Sequence, residues 1–448
     1  MSTTLLKNVT YVNEGATRFR DILIENGHFS RIDNNISAKD EYEIIDCKDF
    51  KVLPGVIDDQ VHFREPGMTH KASIASESAA AVLGGTTSFM DMPNNIPPAI
   101  STKDLNSKKE IAAKDSVANY SFYLGATSDN LEEIKSLDPK NVCGVKVFMG
   151  SSTGNLLVED DEALRKIFLT SQIPVATHCE DNAIINANLT AFTQKYGNEI
   201  EPYMHALIRS REACYKSTKK AVDLATETNA NLHVLHLSTK EEIDLFKPYA
   251  SEKVESRKIT AEVCAHHLFF NSSYYKNLGT KIKCNPAIKD EDDRQSLVQA
   301  VENGIITNIA TDHAPHTREE KEQPFVKAPS GLPLIQYSLL AVLELVHRGE
   351  LSIEAAVTAL SHNTAKRFNI SDRGFIKEGY WADLVIIKPN VAFTVMPHEI
   401  VSKCGWSPFV GMTFNNKVLH TFVNGNQVVK DGRLVTGMPK GKEILFNR

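Results

Sequence analysis

No apolar run in this 448-residue chain approaches the length needed to cross a bilayer, and the opening "MSTTLLKNVTYVNEG" lacks a basic segment followed by a long apolar one. The chain is therefore expected to be neither membrane-embedded nor secreted. Blocks of lysine and arginine are missing, and a formal charge of -6 is mild for this length. Nucleic acids and anionic membranes are accordingly set aside as partners. The seven cysteines (Cys47, Cys143, Cys179, Cys214, Cys264, Cys284, Cys404) are scattered, odd in number and never spaced C-x-x-C. That argues against a structural zinc knuckle and for reduced thiols in a cytoplasm. What is there, 42% hydrophobic and 24% charged residues, suits an enzyme-sized protein with one large domain and an accessory one.

Residues 1–53 alternate short β-like runs with turn signals, as in "TLLKNVTYV" and "FRDILIENGHFSRI". Asn-Gly in "ENGH" supplies the positive φ that a tight hairpin needs. Residues 373–448 resume the same texture, with "NGNQ" and "KDGR" as turns. Both ends are expected to be strands of one small antiparallel β-sandwich domain, joined in space. Residues 54–372 have another rhythm. Candidate strands begin at 53–61 and recur at 86–92, 120–125, 144–149, 174–178, 232–237, 259–264 and 306–311. Amphipathic helical segments such as "DEALRKIFLTS" and "SREACYKSTKKAVDLATE" lie between them. Eight strands separated by helices predict an α/β fold, a (β/α)8 TIM-like barrel.

Such a barrel gathers its chemistry at the C-terminal ends of its strands. The candidate strands end at or carry His62, Asn94, Lys146, His178, His236 and Asp312. Each has a bland reading: a histidine at a strand end is more often structural, a lysine can snorkel, and an aspartate in "ATDHAP" can cap a turn. Three histidines, a lysine and an aspartate at one mouth are hard to obtain by accident. Lys146 is the informative member. An ammonium repels a divalent cation, whereas a neutral lysine that has taken up CO₂ is a carbamate with two anionic oxygens. An apolar setting lowers the lysine pKa and favours that reaction.

With these residues in place, the sequence resembles the dihydroorotases of the amidohydrolase superfamily, in their lysine-bridged form. The resemblance runs from "LPGVIDDQVHFREPG" through "MDMPNN", "GVKVFMG", "ATHCED", "VLHLST", "AEVCAHHL", "CNPAIK" and "IATDHAPH" to "SPFVGM". It implies a zinc-dependent cyclic amidohydrolase that interconverts (S)-dihydroorotate and N-carbamoyl-L-aspartate in de novo pyrimidine synthesis. Residue by residue, it implies that His62 and Asp312 hold a first zinc, His178 and His236 a second, and carboxylated Lys146 bridges the two. Arg64, Asn94 and His316 would grip the substrate carboxylate. Asn285 and the backbone around Ser330 and Gly331 would contact the ring, and Asp312 would also serve as general base and acid. The chemistry agrees, since a guanidinium fork matches a planar carboxylate.

One position departs from the pattern. A metal-dependent hydrolase is expected to carry Asp-x-His-x-His near the start of its barrel, but "IDDQVHF" has Gln60 at the first histidine. An amide oxygen is a weaker ligand than imidazole, so Gln60 is expected to be a weak or water-mediated ligand and the first zinc to fill partially. His205, His233, His266, His267 and His362 are expected to be structural or supporting. Two other readings stay open. One is another cyclic-amide hydrolase, a hydantoinase or allantoinase, against which Arg64 and His316 speak. The other is an inactive dihydroorotase-like partner of aspartate transcarbamoylase, which Gln60 keeps open while Lys146, His178, His236 and Asp312 argue for activity. Beyond a small-molecule substrate, a homodimer and an association with aspartate transcarbamoylase stay open as partners.

Overall fold

At Gly55 the chain passes from one sheet into another. The computed structural model describes residues 3–150, 156–197 and 199–448. In it the expected strand at 53–61 is two strands on either side of that glycine. A Cβ at Gly55 would lie 2.1 Å from Thr87 Oγ1, so the side-chain-free residue is what lets the turn close there.

Before Gly55 stand β1 (Thr3–Asn13), β2 (Ala16–Glu25), β3 (His28–Asp33), β4 (Tyr42–Asp46) and β5 (Lys51–Pro54). After it come the barrel strands β6 (Val56–Val61), β7 (Thr86–Asp91), β8 (Asn119–Gly125), β9 (Gly144–Phe148), β10 (Val175–His178), β11 (Leu232–Val234), β12 (Ile259–Cys264) and β13 (Asn308–Ala310). Residues β14 (Leu384–Thr394), β15 (Thr413–Val423), β16 (Asn426–Lys430) and β17 (Arg433–Leu434) complete the strands.

The eight strands β6 to β13 pair in parallel in sequence order. They nearly close, since Val61 bridges His313 and His62 N–H donates to the His313 carbonyl at 2.7 Å. Every residue of these strands is buried, which is why they read as continuous apolar runs rather than alternating ones. Helices over Ile74–Leu83, Asp161–Thr170, Arg211–Thr228 and Glu291–Glu302 cover the outside, the first three started by serine or aspartate caps. Among the described residues no helix is long and apolar enough to cross a membrane.

Both chain ends share one nine-stranded sheet in the order β17-β16-β15-β14-β5-β1-β2-β3, with β4 beside β1. Its core includes Leu6, Val9, Ile22, Phe29, Val52, Ile386 and Phe422. The three expected turns each place Asn or Asp and then Gly at positive φ: Asn26–Gly27, Asn424–Gly425 and Asp431–Gly432. The expectation of a purely antiparallel sheet is corrected, because β1 pairs in parallel with both β4 and β5. Alternating burial reports which face is covered and says nothing of a neighbour's direction.

Residues 441–448 run under the barrel. Tyr120 N–H donates to the Lys442 carbonyl, Ile444 N–H to Tyr120 and Phe446 N–H to Lys140, at 2.9 to 3.0 Å. Ile444 and Phe446 join Met90, Met92, Tyr123 and Phe368 in the core there.

Candidate active site

All twelve residues picked out in the sequence line one cavity of about 290 Å³ at the C-terminal ends of the barrel strands. Phe148, Ala314 and Pro329 line it as well and carried no signal in the sequence. Arg64, His236 and Asp312 sit at φ values of 66°, 41° and 49°, a region that residues other than glycine rarely adopt. The fold holds them there, as is common where side chains are aimed at a ligand.

At the end of β6, His62 Nδ1 lies 2.6 Å from Asn94 Oδ1, so Nδ1 carries the proton and donates. Nε2 is then left with a lone pair, yet it stands 3.0 Å from Asp312 Oδ1. Two acceptors so close call for a cation between them. Across the mouth the same logic recurs. His178 Nε2–H donates to Glu180 Oε2 at 2.9 Å, which turns the unprotonated Nδ1 toward His236 Nε2, also 2.9 Å away. Burial opposes ionisation of Glu180, but Arg209 and His178 hold its carboxyl down at about 2. Burial keeps His178 and His236 neutral, the form a metal ligand requires.

Lys146 is 1% exposed, and among the described residues its ammonium has no hydrogen-bond or ion-pair partner. It lies 4.6 Å from the centre of the Phe148 ring. Burial lowers its pKa to about 8, which leaves roughly a tenth of it neutral at pH 7. These donors (three imidazoles, a carboxylate and a lysine of lowered basicity) fit a metal pair.

Gln60 turns its amide N–H toward Asp312 Oδ1 at 3.2 Å, and its oxygen faces the Cys264 thiol at 3.8 Å. As placed, Gln60 braces Asp312 and turns its amide oxygen to Cys264. Cys264 behind it was not anticipated, because nothing in its spacing marks it.

The other side of the cavity is cationic. Arg64 Nε donates to the Pro315 carbonyl at 3.0 Å, and its terminal nitrogen is 3.1 Å from His316 Nε2. Lys71, missed in the sequence, approaches the other ring nitrogen of His316 at 3.1 Å. Burial, then Arg64 and Lys71, keep His316 well below its usual range, so this ring is neutral between two cations. Ser330 Oγ donates to Asn285 Oδ1 at 2.8 Å. Gly331 has φ 137°, and a Cβ there would meet the Ala314 carbonyl at 2.5 Å. Of the supporting histidines, His205 bonds the Cys284 carbonyl, His267 the Pro286 carbonyl and His362 the Gly374 carbonyl.

The sequence profile of the Amidohydrolase family matches residues 51–428. A dihydroorotase of Methanosphaera stadtmanae is 31% identical, with 96% of this chain and 97% of that one aligned. An allantoinase of Bacillus velezensis is 28% identical over 96% of this chain and 94% of its own. The solved L-hydantoinase of Arthrobacter aurescens superposes with a TM-score of 0.93 at 25% identity, covering 99% of this chain and all of that one. The chain belongs to the amidohydrolase family, and within it to the dihydroorotases.

Proposed function

We propose that the chain hydrolyses the ring amide of (S)-dihydroorotate to N-carbamoyl-L-aspartate, reversibly, as a step of pyrimidine synthesis. The observation that carries this reading is Arg64, a buried guanidinium lining the same cavity as the metal-type donors. A substrate with its own carboxylate completes that charge, whereas a neutral cyclic amide leaves it unpaired. His62 and Asp312 would hold one zinc, His178 and His236 the other, and carbamylated Lys146 would bridge them. When bound, the metals supply Lewis acidity toward the amide carbonyl and lower the pKa of a water to ~7.

The rest falls to side chains. Arg64 and the neutral His316 orient the substrate carboxylate, while Asn285, Ser330 and Gly331 face the ring. Asp312 Oδ1 accepts from the Gln60 amide and faces the His62 lone pair, so Oδ2 would be the oxygen that accepts the proton of the attacking water. It returns that proton to the ring nitrogen as the C–N bond breaks. Asn94 and Glu180 keep His62 and His178 in the tautomers that point lone pairs inward.

The test is a comparison of substrates on the zinc-loaded protein. Dihydroorotate should exceed hydantoin and allantoin in kcat/KM by about a hundredfold or more. A preference for either neutral ring would overturn the assignment and favour the hydantoinase-like reading. The bridge is checked separately: native mass spectrometry should show one CO₂ added to the metal-loaded chain, and none in Lys146→Ala.

A further inference from the structure

One layer below the mouth, Asp59 on β6, His233 on β11 and Glu262 on β12 meet in the barrel interior, each 0% exposed. Asp59 and His233 each precede a mouth residue, His62 and His236, by three positions. His233 Nε2 lies 3.3 Å from Asp59 Oδ2 and 3.2 Å from Glu262 Oε2. Its Nδ1 is 2.8 Å from Thr260 Oγ1, and that hydroxyl donates its own proton to the Leu232 carbonyl at 3.4 Å. Thr260 therefore accepts from Nδ1–H, and Nε2 is left with a lone pair facing two carboxylate oxygens.

The positive charges nearby act on the cluster only through space, Lys146 on Glu262 and Arg367 on Asp59 and His233. Among the described residues no lysine or arginine forms an ion pair with any of the three. Asn308 Nδ2 donates to Asp59 Oδ2 at 2.8 Å, but Asp59 Oδ1 and Asn308 Oδ1 are buried without a partner. Glu262 Oε1 accepts from the His236 backbone N–H at 3.3 Å, which leaves Oε2 for the space it shares with His233 and Asp59. Two buried carboxyl groups and an imidazole lone pair converging on one point need a proton or a cation between them to be stable together.

We propose that Asp59, His233 and Glu262 bind a divalent cation of the zinc class, a structural ion separate from those of the mouth. A tetrahedral ion with bonds of about 2.0–2.1 Å holds its ligand atoms about 3.3 Å apart, the spacing of His233 Nε2 from each of the two carboxylate oxygens. Two carboxylates neutralise its charge, as an apolar interior requires. The ion ties β6, β11 and β12 together beneath the catalytic layer, and its presence does not depend on which substrate the mouth accepts.

The experiment is metal counting on the full-length protein by mass spectrometry, paired with anomalous diffraction at the zinc edge. After a chelator has stripped the mouth, about one equivalent should remain, with an anomalous peak between the three side chains. Lys146→Ala, which lacks the mouth's bridge, should keep that deep equivalent. Asp59→Asn, near-identical in shape, should lose it while retaining the mouth's metals. Equal metal content in wild type and Asp59→Asn overturns the proposal, as does a water or a doubly protonated His233 at that position. If Asp59→Asn does not fold, the wild-type anomalous map decides alone.

Discussion

Gln60 and Arg64 are the two residues on which the proposed chemistry turns. Gln60 braces Asp312 where an imidazole ligand was expected, so on the proposed reading an ion at His62 would have one nitrogen donor and an ion at His178 and His236 would have two. Chelator titration of the wild type should therefore release the His62 ion first. Gln60→His should tighten that site at least tenfold, a change of about 1.4 kcal/mol, measured by competition with a metal indicator. Simultaneous loss of both ions in wild type, with no tightening in the variant, would show that Gln60 does not set the balance. Arg64→Ala should lower kcat/KM for dihydroorotate at least tenfold, since a charge-assisted contact is worth about 1.5–3 kcal/mol. An unchanged value would remove Arg64 from carboxylate recognition. At this scale the mouth was legible because ligand chemistry restricts residue types and strand ends restrict their places. Asp59, Lys71, Glu180 and Cys264 were not legible. They act through a neighbour's side chain, and which neighbour that is depends on packing across strands far apart in sequence.

The helix Ile74–Leu83 shows how elements are pinned to the site. Its Glu77 accepts from Ser402 Oγ at 2.6 Å and Lys403 N at 3.0 Å. His313 accepts the N–H groups of Leu334 and Ile335 on Nδ1, so its Nε2–H donates to Glu77 at 2.8 Å. One carboxylate thus joins the helix, the residue after Asp312 and the segment near 402. Burial alone would raise the Glu77 carboxyl, but His313 and then Ser402 and Ser76 outweigh it and hold it below 4.5. A carboxyl lowered in the folded state contributes its full stability above the unfolded value and loses it as pH falls through the folded one. Glu77→Gln, which removes charge-assisted hydrogen bonds, should cost about 1.5–3 kcal/mol at neutral pH. In urea unfolding, the gap to wild type should persist down to pH 4.5 and close below it. A gap independent of pH would mean that Glu77 is not ionised in the fold. The barrel strands and principal helices were legible because buried parallel strands and amphipathic helices leave different periodicities. The break at Gly55 and the parallel edges of β1 were not, since neither alters the burial pattern of the residues beside it.

Considered whole, the molecule is a barrel open at one end to substrate and closed at the other by its own residues 441–448. Ile444 and Phe446 fill the floor against Tyr123 and Phe368, so Phe446→Ala should cost about 3–5 kcal/mol. Thermal unfolding would register that loss as a lowered Tm, with kcat at low temperature unchanged; an unaltered Tm would show that the floor closes without this ring. The floor was invisible in the sequence, where "GKEILFNR" carries too short a pattern to imply a partner. The sheet that joins the two ends has a consequence for how the protein is made. β5 is flanked by β1, made before it, and by β14, whose residues 384–387 leave the ribosome only after the entire barrel has been synthesised. Until then β5 presents an unpaired strand edge, the kind of surface that recruits chaperones and invites aggregation. A chain released early by a premature stop codon keeps that edge bare. The same strand pairing that unites the finished protein thus distinguishes it from an unfinished copy.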